Sequence, residues 1–184
     1  MANAAFKYQS EIDVLINEGA KLPPLSEPQN KDAYRYVFRE INPNNHKPVY
    51  IQNSQRIISD TDKKRINTSG YALSCFEQKD KAIQKYNALK ANMRNITRTM
   101  GDALCNGTLN KEDGLITQAN NESHFDLYEY CECDLSDKFK IIGEFYQFNL
   151  SSCIRQQNSL TAQFVSFSLA NLANIFYPPD FYNN

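Results

Sequence analysis

The sequence predicts an α+β domain, a mainly antiparallel sheet packed against two main helices. Two strand alternations and two helical stripes carry this. Gly70 to Phe76 alternates in strand fashion, with Tyr71, Leu73 and Cys75 opposed to Ala72, Ser74 and Phe76. Ala82, Tyr86, Leu89, Met93, Ile96 and Met100 then recur at spacings of 4, 3, 4, 3 and 4, one apolar stripe on a helix over 79–100. His124 to Leu135 alternates again, and Leu160 to Phe176 carries a second helical stripe. A chain of 184 residues with 41% hydrophobic and 12% aromatic content supplies the core of one such domain.

Taken in order, Ser10 to Glu18 reads as a first helix, with Ile12, Leu15 and Ile16 on one face, Ser10 at its start and Gly19 at its end. Lys21 to Pro28 holds three prolines and reads as an extended connector. Residues 1–28 are therefore assigned to an N-terminal helix and Pro-rich connector, and 29–184 to the α+β domain. Tyr34 to Arg39 is the first strand, with Tyr34, Tyr36 and Phe38 on one face and Arg35, Val37 and Arg39 on the other. Asn42 to Pro48 is a turn-rich loop, and Val49 to Ile51 a short strand. From Gln52 to Ser69 the pattern is weak, with one helical turn opening at Asp60.

The 70–76 strand and the 79–100 helix follow, and Gly101 is placed to stop that helix because glycine reaches the left-handed conformation without strain. Met100 to Leu109 looks irregular, punctuated by Gly101 and Asn106-Gly107. A hairpin then pairs 115–119 with 124–134. Phe125, Leu127, Cys131, Cys133 and Leu135 share a face of that second strand, with Glu129 as the anomaly among them. Phe139 to Leu150 is a further strand whose phase shifts near Gly143, as at a bulge. The last helix, 159–176, ends at Pro178-Pro179. A sheet of about four to six strands is expected.

Charge and motifs exclude several classes. Twenty basic and 21 acidic residues give a formal charge of −1, which argues against a dedicated nucleic-acid binder. Lys63, Lys64 and Arg65, the one basic triplet, read as a solvated loop or helix end. No run of about 18 apolar residues occurs, so no membrane span is expected. The first residues lack a signal-peptide pattern, and five scattered cysteines suggest reduced thiols, so a cytoplasmic location is expected. Cys131 and Cys133 share a strand face, but His124 has the wrong parity to join them, and no metal site is expected. Nucleotide-cradling glycine loops and a nucleophile elbow are absent.

One constellation remains. An arginine on the first strand (Arg35 or Arg39), a serine on a strand leading into a helix (Ser74) and a glutamate on a later strand (Glu129 or Glu132) occur in that order. Here the chain resembles ADP-ribosyltransferase-like domains, over Tyr34 to Arg39, Thr68 to Ser74 with the Ala82/Tyr86 helix behind it, and Leu127 to Glu132. The resemblance implies a nicotinamide-dinucleotide cleft with Arg35, Ser74 and Glu129 as catalytic residues and Arg39, Tyr71 and Glu132 in binding. The arginine would hold pyrophosphate, the serine would position its neighbours, and the glutamate would bind a ribose hydroxyl and stabilise an oxocarbenium-like transition state. The chain departs from the family in its glutamates. Glu129 and Glu132 lie three apart and so on opposite strand faces, and the family's Glu-x-Glu pair is missing.

The favoured expectation is a soluble intracellular protein that acts by binding a protein partner or a small ligand. Eleven tyrosines and eleven phenylalanines without tryptophan supply its amphipathic contact surface, and Tyr34, Tyr36, Tyr128, Tyr130 and Tyr146 are placed to face one groove. No cofactor is expected on this reading. The alternative is an ADP-ribosyltransferase-like enzyme using NAD.

Overall fold

A computed structural model of the chain describes residues 5–40, 42–52 and 68–145. These lie within one compact unit, 1–145. The class is α+β as predicted. Among the described residues seven strands, one more than the upper expectation, form a single sheet: β1 (Leu25–Ser26), β2 (Lys31–Val37), β3 (Leu73–Phe76), β4 (Ala103–Leu109), β5 (Gly114–Thr117), β6 (His124–Glu129) and β7 (Lys140–Glu144). Their order is β1-β5-β6-β3-β2-β4-β7, and every pairing is antiparallel. The helices among the described residues are α1 (Gln9–Asn17), α2 (Val49–Gln52), α3 (Lys79–Asn92) and α4 (Ile96–Thr99), with a 3-10 turn at Thr68–Tyr71. The predicted helix 159–176, the turn at Asp60, the 63–65 basic triplet and Tyr146 lie outside the described residues.

Strand parity divides the sheet into two faces. On one, Ala33, Val37, Leu73, Cys75, Cys105, Ile116, Phe125 and Leu127 form the main core, closed by Leu135 and Phe139 from the chain after β6. On the other stand α1 and α3. Ile12 of α1 packs with Ala72 and Tyr128. Ala82 and Tyr86 of α3 are fully buried, and Tyr86 stacks on Phe145 with ring centroids 3.5 Å apart. The faces are called here the covered face and the helix face.

The structure corrects several expectations. Residues 103–109, read as irregular, form β4, which pairs with β2 along seven residues. The buried face of β4 carries Ala103, Cys105, Gly107 and Leu109, and Leu104 is buried on the other face before Asn106 and Thr108 open to solvent, so hydrophobic alternation is faint, and Asn106-Gly107 mimics a turn. Asn106 instead bonds the Ala33 carbonyl, and Gly107 leaves room for the Phe139 ring, 3.1 Å from where a Cβ would stand. Val49 to Ile51 is not a strand but the start of α2. Pro48 presets its first turn, and the amides of Ile51 and Gln52 bond the Pro48 carbonyl.

The 79–100 helix breaks after Asn92, where Met93 turns extended at φ −125° and ψ 101°, and resumes as α4 with Ile96 buried. Asn92 bonds the Ala88 carbonyl with its side chain, a competition with the helix typical of Asn. Gly70 and Tyr71 belong to the 3-10 turn, so β3 begins only at Leu73. The 124–135 strand stops at Glu129, and Tyr130 makes an isolated bridge to Phe6. The helix cap expected at Ser10 is not formed; Tyr8 precedes α1 and Ser10 bonds Glu11. The 115–119/124–134 hairpin is present as β5–β6, and the bulge near Gly143 appears as a register shift opposite Leu104 and Cys105. No helix among the described residues is long and apolar enough to cross a membrane.

Candidate functional site

Arg35, Ser74 and Glu129 do not converge. Arg35 points into the covered face and is 5% exposed. Its Nη1 donates to the Ser74 carbonyl at 2.9 Å and lies 3.9 Å from Cys75 Sγ. Glu129 is on the same face, 4% exposed, and receives Lys7 Nζ at 2.8 Å. Burial pushes its carboxyl above the usual value, and the Lys7 bond and charge pull against that. Ser74 has the opposite parity. Its backbone carbonyl serves Arg35, while its hydroxyl stands exposed on the helix face.

The predicted binding residues are dispersed too. Arg39 lies beyond β2, pairs with Glu144 at 3.2 Å and takes Asp102 Oδ1 on its backbone amide. Tyr71 is half-buried between the rings of Tyr8 and Tyr50. Glu132 is exposed at a shallow cleft of about 730 Å³ with Tyr130, Lys111 and Glu112. Of the tyrosines expected in one groove, Tyr36 and Tyr128 do not share it. Tyr36 is held in an aromatic cluster with Phe76, Tyr86 and Phe145, and Tyr128 in the separate cluster with Ile12. Cys131 and Cys133 carry free thiols, and among the described residues no three His, Cys, Asp or Glu side chains come together as a metal site.

What Ser74 does meet is His124 and Asp126. The antiparallel register of β3 and β6 sets Ser74 opposite Asp126, two residues from His124 along the same face. Ser74 Oγ lies 2.5 Å from His124 Nε2, and Asp126 Oδ1 lies 3.9 Å from the same nitrogen. His124 and Asp126 border a cleft of about 390 Å³ between β5–β6, the 3-10 turn and the connector at Lys21 and Pro23. Asn120 organises the near wall: its Oδ1 accepts the amides of Glu122 and His124, and its own amide bonds the His124 carbonyl. Thr117 Oγ1 takes the Asp126 amide at 2.9 Å. On the far wall, Thr68 Oγ1 and Tyr128 OH share a bond of 2.9 Å. Burial pushes the Asp126 carboxyl up, against a downward pull from His124.

The Ser-His-Asp grouping is not arranged for nucleophilic catalysis. That chemistry needs the carboxylate on one ring nitrogen to orient a base whose other nitrogen takes the serine proton. Here Ser74 and Asp126 approach the same Nε2. The arrangement suits recognition, with donors and acceptors lining a half-open cleft. His124 and Asp126 were not singled out as site residues from sequence. Their signal was present in the alternation of 124–135, but it needed the β3–β6 register to bring Ser74 to them. Comparison of the chain with models of known families, with curated proteins and with solved structures finds no match.

Proposed function

We propose that the protein acts by binding, and that the cleft beside Asp126 takes a small hydroxyl-rich ligand such as a sugar or the ribose of a nucleoside. The observation that carries this is Asp126. Its side chain is 22% exposed, and among the described residues no group donates a hydrogen bond to its oxygens; His124 at 3.9 Å is too far. A part-buried carboxylate without donors is costly, and a ligand hydroxyl would relieve it. Thr117, Asn120 and His124 around it supply further hydroxyl, amide and imidazole partners. A cytoplasmic, reducing setting belongs to the same proposal, supported by the free thiols of Cys75 and Cys105, which burial keeps protonated.

The test is an amide-detected nuclear magnetic resonance titration with glucose, ribose, adenosine and NAD, up to about 10 mM, where even millimolar affinity registers. At least one is expected to shift Thr117, Asn120 and Asp126. Asp126→Asn is expected to weaken that binding about tenfold, the loss of a charge-assisted bond. Silence of these amides towards all four, or equal binding by the variant, removes the proposal. A second reading, ADP-ribosyl transfer from NAD, keeps one favourable observation, that Arg35 and Glu129 stand on the same face of the sheet. Release of nicotinamide from labelled NAD, abolished in Glu129→Gln, would put it in place of the first.

A further inference from the structure

Asp126 is not the only acceptor that its cleft leaves without a donor. Tyr128 follows it by two residues on β6, so both side chains rise from the same face of the strand, about 6–7 Å apart at their roots, and both line the cleft. Tyr128 and Thr68 are 1% and 0% exposed, so their hydroxyl protons must find acceptors inside the protein. Thr68 Oγ1 donates to the Lys21 carbonyl at 3.4 Å. Its other bond, 2.9 Å to Tyr128 OH, must then take its proton from the phenol. Both protons are used in that order, and the Tyr128 oxygen keeps a lone pair with no donor among the described residues. The carboxylate beside it keeps two oxygens in the same state. The donors of the cleft belong to other residues. Thr117 Oγ1 accepts the Asp126 amide at 2.9 Å and keeps its own proton to give. Asn120 Oδ1 is taken by two backbone amides, which leaves the side-chain NH₂ to donate.

We propose that the ligand of this cleft is a hydroxylated primary amine, an amino sugar being the simplest, whose ammonium group sits between Asp126 and Tyr128. The inference rests on the hydroxyl-ligand reading above and narrows it. An ammonium brings three donors and no acceptor, which matches two acceptors that a single hydroxyl proton cannot both serve. It also brings the positive charge with which a part-buried carboxylate is ordinarily paired. Among the described residues no cation does this. His124 stops 3.9 Å from Asp126, and Lys21, which also lines the cleft, is exposed and makes no ion pair with it. The ligand's hydroxyls would accept from Thr117 and Asn120. A metal ion is a poorer occupant, because among the described residues no three His, Cys, Asp or Glu side chains come together to hold one.

The test is an amide-detected titration of the full chain at pH 7 with glucosamine, glucose and N-acetylglucosamine, in about 0.15 M sodium chloride to screen long-range attraction. Glucosamine is expected to shift Thr117, Asn120 and Asp126. It is expected to bind about tenfold tighter than glucose or N-acetylglucosamine, which keep the hydroxyls and lack the charge. Asp126→Asn is expected to erase that preference, and Tyr128→Phe, which removes the phenol oxygen, to reduce it severalfold. Should either variant fail to fold, the comparison of glucosamine with N-acetylglucosamine on the natural chain still decides. Glucose binding as tightly as glucosamine overturns the inference and leaves the hydroxyl-ligand reading in place. A preference that both variants keep overturns it too, since the charge is then met elsewhere. Silence of these amides towards all three sugars also overturns it, and the ribose, adenosine and NAD titrations then decide the reading beneath it.

Discussion

Glu129 and Lys7 show how unevenly an ion pair can distribute its cost. The glutamate side chain is 3% exposed and the lysine 36%, so desolvation falls mainly on the carboxylate. Burial accordingly raises the Glu129 carboxyl above 4.5, although Lys7 opposes this, whereas Lys7 is itself raised above 10.5 because the bond and charge of Glu129 outweigh its own burial. The signs follow from linkage. A carboxyl that binds its proton more tightly when folded favours the fold most below 4.5, and that contribution erodes as pH rises through its folded value. The Lys7 contribution is present below 10.5 and is lost only as pH rises through its own. Carbon-detected titration is therefore expected to place the Glu129 midpoint above 4.5 and to move it higher in Lys7→Met. That variant should cost about 1–2 kcal/mol at pH 7 by denaturant unfolding, less than a fully buried pair because Lys7 is part-solvated. In Glu129→Gln the decline in stability between pH 4.5 and neutrality should flatten. A Glu129 midpoint at or below 4.5 would contradict the account.

At the scale of elements, two glycines separate conformational strain from crowding. Gly19, just past α1, and Gly101, just before β4, have φ of 99° and 100°, in the region that side chains rarely adopt. A Cβ on Gly19 would meet nothing within 4 Å, while one on Gly101 would stand 2.2 Å from the Val37 carbonyl oxygen. Gly19→Ala should therefore cost only the backbone term, about 1 kcal/mol. Gly101→Ala must also push β2 and β4 apart where Asp102 bonds Val37, and should cost at least about 3 kcal/mol. Equal unfolding midpoints for the two variants would show that the close approach is unimportant. Gly101 is also a case where sequence reasoning found the residue and the reason but not the whole setting. It stops a helical segment as expected, and it also admits a strand that the sequence disguised. The buried face of β4 carries the small residues Ala103, Cys105 and Gly107, and Leu104 is buried on the opposite face, so its hydrophobicity does not alternate as on a strand with one wet face. α2 was misread for a related cause. Four residues beginning after a proline fit either period, and Tyr50, which lies against Gly70 and Tyr71, settles the matter through contacts remote in sequence.

For the molecule as a whole, the sequence showed the class, the hairpin and the parity of β2, β3 and β6, but not the order in which strands lie side by side. That order decides the site. The parity of Ser74 and of His124 was readable separately; their meeting depends on β3 pairing with β6, strands about fifty residues apart. Long-range order also governs the N-terminal segment, which composition set apart as 1–28. In the structure Phe6 bridges Tyr130, Lys7 bonds Glu129 through both backbone and side chain, Ile12 and Leu15 of α1 are buried, and β1 extends the sheet from β5. Two aliphatic side chains buried at about 1.5–3 kcal/mol each are a large part of a net stability on the order of 5–15 kcal/mol. A chain lacking residues 1–20 is therefore expected to lose several kcal/mol and to open first along β6, because Lys7 and Phe6 cover the strand's end and α1 covers Tyr128. Hydrogen exchange tests this at the amides of β6 and at Tyr130, whose partner is the Asp113 carbonyl. Faster exchange there with a lower unfolding midpoint is the expected outcome. A truncated chain with unchanged midpoint and unchanged exchange would show that the first helix is an appendage, as its composition alone suggests.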